Sequence, residues 1–423
     1  MSGFEKIIGY EDVKIELRRI CDILCDLQKY EKLGVKMPKG LVLVGEPGVG
    51  KTTMAKAFIE ETRRSAFVCR KKKPDGEFVK EIAEIFEQAK KSVPSIVFLD
   101  DMDKYANEDE DHKNAEEFVT VQSCIDDVKD LDIFVIATAN SLNEVPDSLL
   151  RAGRFDKTIH IKNPKGKDAE DIIRFYLSQK EFVSDVDAGE IASILDGSSC
   201  AELETVINEA GIYAGYENKT KIDMDDLIRA CIRVIYDAPE KSLDDGDDVD
   251  VIAYHEAGHA VITEVLAPGT VSLVSIKKNH GKIGGFATSS LPKGYWYSKK
   301  MMEEHVVSLL AGKAAIELIF DVVDVGAKSD IQRAFSIVER FVDDYCSNGF
   351  DCWIQGAMAS NDLLSRREML MAGEMERLYN QAKTILLDNK DCLCAVAKAL
   401  IDDKVITRSR LKKLIDENIK KVS

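Results

Sequence analysis

The 423-residue sequence is short of positive charge. Its 58 Lys and Arg stand against 75 Asp and Glu, a net charge of −17. That balance excludes a general nucleic-acid binder, whose phosphate contacts need clustered cations. The one basic run, Arg70-Lys71-Lys72-Lys73, is short and reads as a solvated loop. Long hydrophobic runs are missing as well: no stretch approaches the ~20 apolar residues of a membrane-spanning helix, and no signal peptide opens the chain. The ten cysteines include no Cys-x-x-Cys pair. Cys392 and Cys394 are too close for an ordinary disulfide, and Cys21 and Cys25 share one helical face, so the thiols read as reduced, small hydrophobes. These absences lead to the expectation of a soluble, cytoplasmic chain with no membrane segment and no nucleic-acid partner. Internal repeats and low-complexity segments are also lacking. With 45% hydrophobic residues, the length suits two or three domains, each with its own core.

Histidine is scarce too, with six in the chain, yet two of them stand four positions apart in His255-Glu256-Ala257-Gly258-His259. On a helix this spacing stacks both imidazoles on one face, where they can share a metal ion. Glu256 then suits the general base of a metalloprotease. Flanks without proline, Val251 to Tyr254 and Ala260 to Ile262, support the helix, and Ala257 and Gly258 allow close packing. The plainer alternative is an amphipathic helix with two histidines as chance neighbours.

Upstream, Val13, Leu17, Ile20, Ile23, Leu24 and Leu27 recur at helical spacing. A short apolar strand, Lys39 to Val44, runs into Gly45-Glu46-Pro47-Gly48-Val49-Gly50-Lys51-Thr52, and a helix follows from Met54 to Thr62. In this strand–loop–helix frame the glycines let backbone N–H groups surround phosphates. Lys51 neutralises the β/γ oxygens of ATP, and the Thr52 hydroxyl ligates Mg²⁺. A second buried strand, Ser95 to Leu99, ends in Asp100-Asp101: the first carboxylate orients the Mg²⁺ shell and the second positions the attacking water. A third, Ile133 to Ala137, ends near Asn140, which can reach the γ-phosphate. Strands alternating with helices predict an α/β fold, a parallel sheet covered on both faces with ligands at the strands' carboxyl ends. Between Lys104 and Glu117 an acidic loop, Asn107 to Asp111, reads as a solvated excursion. Arg151 and Arg154 flank a tight turn, and either surface salt bridging or transition-state charge stabilisation across a subunit boundary explains them.

The boundaries expected are a large ATPase subdomain at 1–165, a helical lid at 166–237, an acidic linker at 238–248 and a mainly helical domain at 249–423. A β insertion is expected from Thr270 to Ser290, with Gly281, Gly284 and Gly285 marking turns or close backbone approach. Its Thr270 to Ile276 segment alternates as an edge strand does, ready to pair with an extended peptide.

An ATP-binding P-loop joined to a His-Glu-x-x-His helix resembles the FtsH-type AAA+ metalloproteases, and the likeness runs from Phe4 nearly to the C-terminus. It is carried by Gly45 to Thr53, Phe86 to Lys91, Asn140, Leu149 to Asp156, Val206 to Ala210, His255 to Ala260 and Gly326 to Ile331, in the family's order. The resemblance implies a homo-hexameric ring in which ATP turnover draws unfolded polypeptides into a zinc chamber. It also implies that Thr53 belongs to the nucleotide loop, Asn140 is the sensor, and Arg151 and Arg154 are arginine fingers. Asp330, which otherwise reads as a helix N-cap, becomes the third Zn²⁺ ligand beside His255 and His259, with Glu256 catalytic.

Three features depart from the family's pattern. Family members usually carry membrane-spanning helices before the ATPase. The strand end here reads Asp100-Asp101 where the family has Asp-Glu. Pro74-Asp75-Gly76 stands where the family's aromatic pore-loop grip is expected. A shortened carboxylate and a lost grip predict slow ATP turnover and weak unfolding, leaving unfolded chains as substrates. Two rivals remain: a peptidase on a nucleotide-gated scaffold, and a remodelling ATPase that does not cleave.

Overall fold

The computed structural model describes residues 3–71, 77–106, 115–237, 248–279, 282–289, 298–347, 349 and 359–418. The pore-loop position at Pro74 to Gly76, the acidic loop at Asn107 to Asp111, Gly281 and nearly all of the acidic linker lie outside these residues. The chain folds as two compact units, 1–188 with 195–223, and 189–194 with 224–423. The helix Met224–Tyr236, read above with the lid, groups with the second unit.

The first unit is built on β1 (Gly40–Val44), β2 (Ser65–Cys69), β3 (Ser95–Leu99), β4 (Ile133–Ala139) and β5 (Lys157–His160), all parallel in the order β2-β3-β4-β1-β5. Apart from Ser95 and Thr138, the three inner strands are apolar, which suits strands buried on both faces. On one face Val42, Val97 and Val135 pack against Phe78 and Phe86 of the helix Phe78–Lys91 and Val121 and Ile125 of Ala115–Val128. On the other, Phe134 meets Phe58 of the helix Lys51–Thr62, with ring centroids 5.6 Å apart. Loops at the carboxyl ends of β1, β3 and β4 therefore converge. The helix Cys200–Tyr216 starts from a capping box, Ser199 with Glu202.

The second unit is organised around the helix Val249–Leu266. Its small buried residues bring neighbours close: a Cβ on Gly258 would stand 2.7 Å from the Ala311 carbonyl of the helix Ala311–Phe320. The helices Lys299–Leu309, Lys328–Asp343, Asn361–Asp388 and Lys390–Asp403 complete the core. The expected β insertion is a hairpin of β6 (Val271–Asn279) and β7 (Lys282–Ser289), joined by the short β8 (Val405–Thr407) in the order β7-β6-β8. This corrects the expectation of an edge strand at Thr270 to Ile276. That segment is central, hydrogen-bonded by β7 on one side and β8 on the other, so its backbone has no face left for a peptide. The outer position belongs to β7.

Candidate active site

His255 and His259 lie one turn apart on the central helix, their Nε2 atoms 3.1 Å from each other. Asp330, in the first turn of Lys328–Asp343, brings Oδ2 to 3.4 Å from His255 Nε2 and 3.5 Å from His259 Nε2. An ion held tetrahedrally by bonds of about 2.0–2.1 Å separates its ligands by about 3.3 Å, so this donor set fits Zn²⁺. The outer nitrogens agree. His255 Nδ1 lies 2.6 Å from Asp324 Oδ2, and His259 Nδ1 lies 2.7 Å from the Ser308 carbonyl oxygen. With both Nδ1–H groups donating outward, both Nε2 lone pairs face one point. Burial disfavours the His255 cation, but hydrogen bonds with Asp324 and Asp330 outweigh it and push its pKa up to about 10. Burial resists ionisation of Asp330 too, and there the bonds with both histidines prevail, holding it below its ordinary value.

Glu256 is buried in the same cleft, and burial pushes its carboxyl up to about 7. A Cβ on Gly285 of β7 would come within 2.7 Å of Glu256 Oε1, so only glycine lets the strand pass so near. The cleft, about 350 Å³, is walled by His255, Glu256 and His259 on one side and Phe286 to Ser289 of β7 on the other. Gly312 is just as tightly constrained, since a Cβ there would lie 2.4 Å from His255 Cε1.

In the first unit, Gly48 and Gly50 take φ of 84° and 96°, the left-handed region that glycine enters without strain. Lys51 Nζ donates to the carbonyls of Gly45 at 2.7 Å and Glu46 at 3.0 Å, and to Asn140 Oδ1 at 2.9 Å. Thr52 Oγ1 donates to Asp100 Oδ1 at 2.9 Å, joining the hydroxyl and carboxylate expected around Mg²⁺. The Glu46 carboxylate accepts from Asn163, and Pro47 completes the loop between Glu46 and Gly48. Beside the loop, Ile7, Ile8, Val49, Thr53, Ile172 and Tyr176 line a small, largely apolar cavity of the character that takes a purine ring.

Two family models match the chain: the ATPase family associated with various cellular activities (AAA) over residues 41–163, and peptidase family M41 over residues 243–414. The ATP-dependent zinc metalloprotease FtsH 2 of Thermoanaerobacter sp. (strain X514) is 30% identical over 433 residues, covering 98% of this chain and 83% of that protein. The chain belongs to the FtsH family. Similar too are FtsH of Streptobacillus moniliformis, 30% identical over 97% of this chain and 64% of that protein, and FtsH of Caldicellulosiruptor bescii, 31% identical over 98% and 72%. As an FtsH-family protein with a His-His-Asp cluster, it is an ATP-dependent metalloendopeptidase. No described helix is long and apolar enough to cross a membrane.

The structure separates some of the residues singled out in this FtsH-family sequence. Asp101 takes a left-handed backbone, and its Oδ2 pairs with Lys104 at 2.7 Å and Arg70 at 3.5 Å. Arg154 holds Asp126 through two bonds of 2.8 and 2.7 Å and also donates to the Ser148 carbonyl. Arg151 is exposed. Both arginines precede β5, at the amino ends of the strands, whereas the Lys51 loop lies at the carboxyl ends. Five strand residues, roughly 15 Å, separate the two levels. The close backbone approach expected at Gly285 is there, against Glu256; sequence reasoning passed over Asp103, Asp324, Gly312 and the apolar wall at Ile7 and Ile8. For Asp324 the only sequence signal was an acidic residue among Val322, Val323 and Val325.

Proposed function

We propose that this metalloendopeptidase assembles as a homo-hexameric ring that degrades unfolded or loosely folded polypeptides, with Zn²⁺ on His255, His259 and Asp330. The observation that carries the reading is the convergence of both Nε2 atoms and Asp330 Oδ2 within 3.1 to 3.5 Å. Zinc, when bound, supplies a Lewis acid that polarises a peptide carbonyl. Glu256 accepts the proton of the attacking water on its carboxylate and passes it to the leaving amine, a task suited to a carboxyl raised to about 7. Asp324 and the Ser308 carbonyl hold the two imidazoles in the tautomers that face the ion. An extended substrate pairs with the outer edge of β7, so binding is directed by backbone and tolerant of sequence.

In the first unit Lys51 and the loop glycines bind the phosphates, Thr52 and Asp100 hold Mg²⁺, and Asn140 senses the γ-phosphate. Arg151 and Arg154 act on a neighbouring subunit's nucleotide, which suits their place at the far end of the sheet from their own Lys51. Asp101, drawn toward Lys104 and Arg70, makes for slow ATP turnover, which suits movement of unfolded chains better than forced unfolding of a stable domain. Casein degradation and ATP hydrolysis measured together test the whole reading. A zinc-selective chelator in the presence of excess Mg²⁺, or Glu256→Gln, is expected to stop cleavage while ATP turnover continues, and Glu256→Gln is expected to keep its zinc. Wild-type cleavage by Glu256→Gln, or rapid degradation of a stably folded tagged domain by the unmodified protein, would overturn it.

A further inference from the structure

Asp103 has no part in the ATPase site as read so far, although it is 3% exposed and stands beside it. Its position is set by the 3-10 turn Met102–Lys104 that follows β3. One oxygen, Oδ2, accepts from the Asn140 side-chain amide at 2.7 Å and from the Asn140 backbone N–H at 3.1 Å. Asn140 Oδ1 in turn accepts from Lys51 Nζ at 2.9 Å. The Asn140 amide therefore lies between a group that only accepts and a group that only donates. A carboxamide in that setting has one satisfied orientation: its NH₂ must face the carboxylate and its oxygen the ammonium. Rotated by a half-turn, it would set oxygen against oxygen and nitrogen against nitrogen. Burial pulls the Lys51 ammonium down, and of the carboxylates that oppose this, Asp103 contributes more than Asp101 or Asp100. Burial, and then the nearby Asp103 charge, raise the carboxyl of Glu144 in the 3-10 turn after β4 above its ordinary value.

We propose that Asp103 is a positioning residue of the ATPase: it locks the Asn140 amide in one orientation, and through Asn140 it aims Lys51. The inference rests on the reading of Lys51 and Asn140 as the γ-phosphate end of the nucleotide site. It gives the acidic turn after β3 a division of labour. Asp100 serves the Thr52 side, Asp101 turns to Lys104 and Arg70, and Asp103 serves the sensor. Asp103 acts through Asn140, without touching nucleotide, so its effect falls on turnover more than on binding, which the loop backbone and Lys51 provide.

The test is a double-mutant cycle on the full chain, with ATP hydrolysis as readout. Asp103→Asn keeps the shape but can present either a donor or an acceptor, so the amide's orientation is no longer fixed. Loss of one charge-assisted hydrogen bond is expected to lower kcat by about tenfold or more, with KM for ATP within about threefold. In an Asn140→Ala background the same substitution is expected to add less than about twofold, because the side-chain amide that Asp103 orients is gone. Asp103→Ser, which also lacks the charge, is expected to follow the same pattern, with thermal unfolding recorded for each variant. Unchanged kcat in Asp103→Asn, or an equal loss in both backgrounds, would overturn the proposal. Wild-type hydrolysis by both Asn140→Ala and Lys51→Ala would instead remove the site reading beneath it.

Discussion

Gly312→Ala is expected to disable the zinc site without touching a ligand. The added methyl would stand 2.4 Å from His255 Cε1, 2.5 Å from Nε2 and 2.6 Å from Nδ1. Carbon atoms in contact sit ~3.5 Å apart, so the ring or the helix must give by about 1 Å. Neither yields readily. The ring is tied to Asp324, and the central helix is already pressed against Ala311 through Gly258. Functional constellations tolerate roughly 0.5 Å of misplacement, and overpacking a core costs about 1–3 kcal/mol. Zinc affinity is therefore expected to fall by at least the ~10–100-fold typical of a lost outer-shell partner. Zinc retained after dialysis against graded chelator gives the affinity, and casein cleavage and ATP turnover are followed in parallel. Gly373→Ala is the matched control. It is a glycine of the exposed face of Asn361–Asp388 with nothing within 4 Å of its built Cβ, and it should gain about 0.5–1 kcal/mol from helix propensity. If Gly312→Ala kept zinc at wild-type chelator concentrations and cleaved at the wild-type rate, the steric argument would fail.

Three further outcomes follow from the same contacts. Asp324→Asn removes the charge behind His255 and should weaken zinc binding by about 10–100-fold, read by chelator competition; an unchanged affinity would leave Asp324 a purely structural loop anchor. Arg151→Ala should slow ATP hydrolysis by the assembled protein at an unchanged melting temperature, whereas Arg154→Ala should also lower that temperature by orphaning Asp126; identical melting curves would refute the distinction. Hydrogen bonds from Lys383, then Tyr379 and Lys313, hold Glu317 down at about 2, against an ordinary 4.5. The stability it adds is therefore present above pH 4.5 and lost as the pH falls toward 2. Urea unfolding of metal-free wild type and Glu317→Gln should differ near pH 6 and converge in acid, and a gap independent of pH would contradict the assignment.

Contiguous chemistry was legible in the chain. The loop from Gly45 to Thr52 and the pair His255 and His259 are fixed by spacing alone, and the largely apolar runs of β1, β3 and β4 announced a sheet buried on both faces. Asp330 needed the family resemblance, because about seventy residues separate it from His259 and its sequence context is that of a helix start. Gly312 and Asp324 were invisible for a related reason. Each is defined by contact with the His255 ring, and no local pattern encodes that. The alternation in β6 revealed a strand but not how many neighbours it has, since β8 is only three residues long. Asp103 was missed because strand reasoning stopped at the first two carboxylates, while the 3-10 turn carries the third back toward Asn140.

The outer edge of β7 has a consequence for solubility. An edge able to accept a substrate backbone can equally template another copy of itself, the usual start of sheet-to-sheet aggregation. The pairing of β7 with β6 shifts register between Val271 and Leu273, between Ser275 and Lys278, and again between Lys278 and Asn279. Such irregularities twist and interrupt an edge, so a long foreign strand cannot stay in step with it, whereas a segment of a few residues can. The hairpin whose outer edge is proposed to receive a polypeptide is thus also shaped to resist polymerising along that edge.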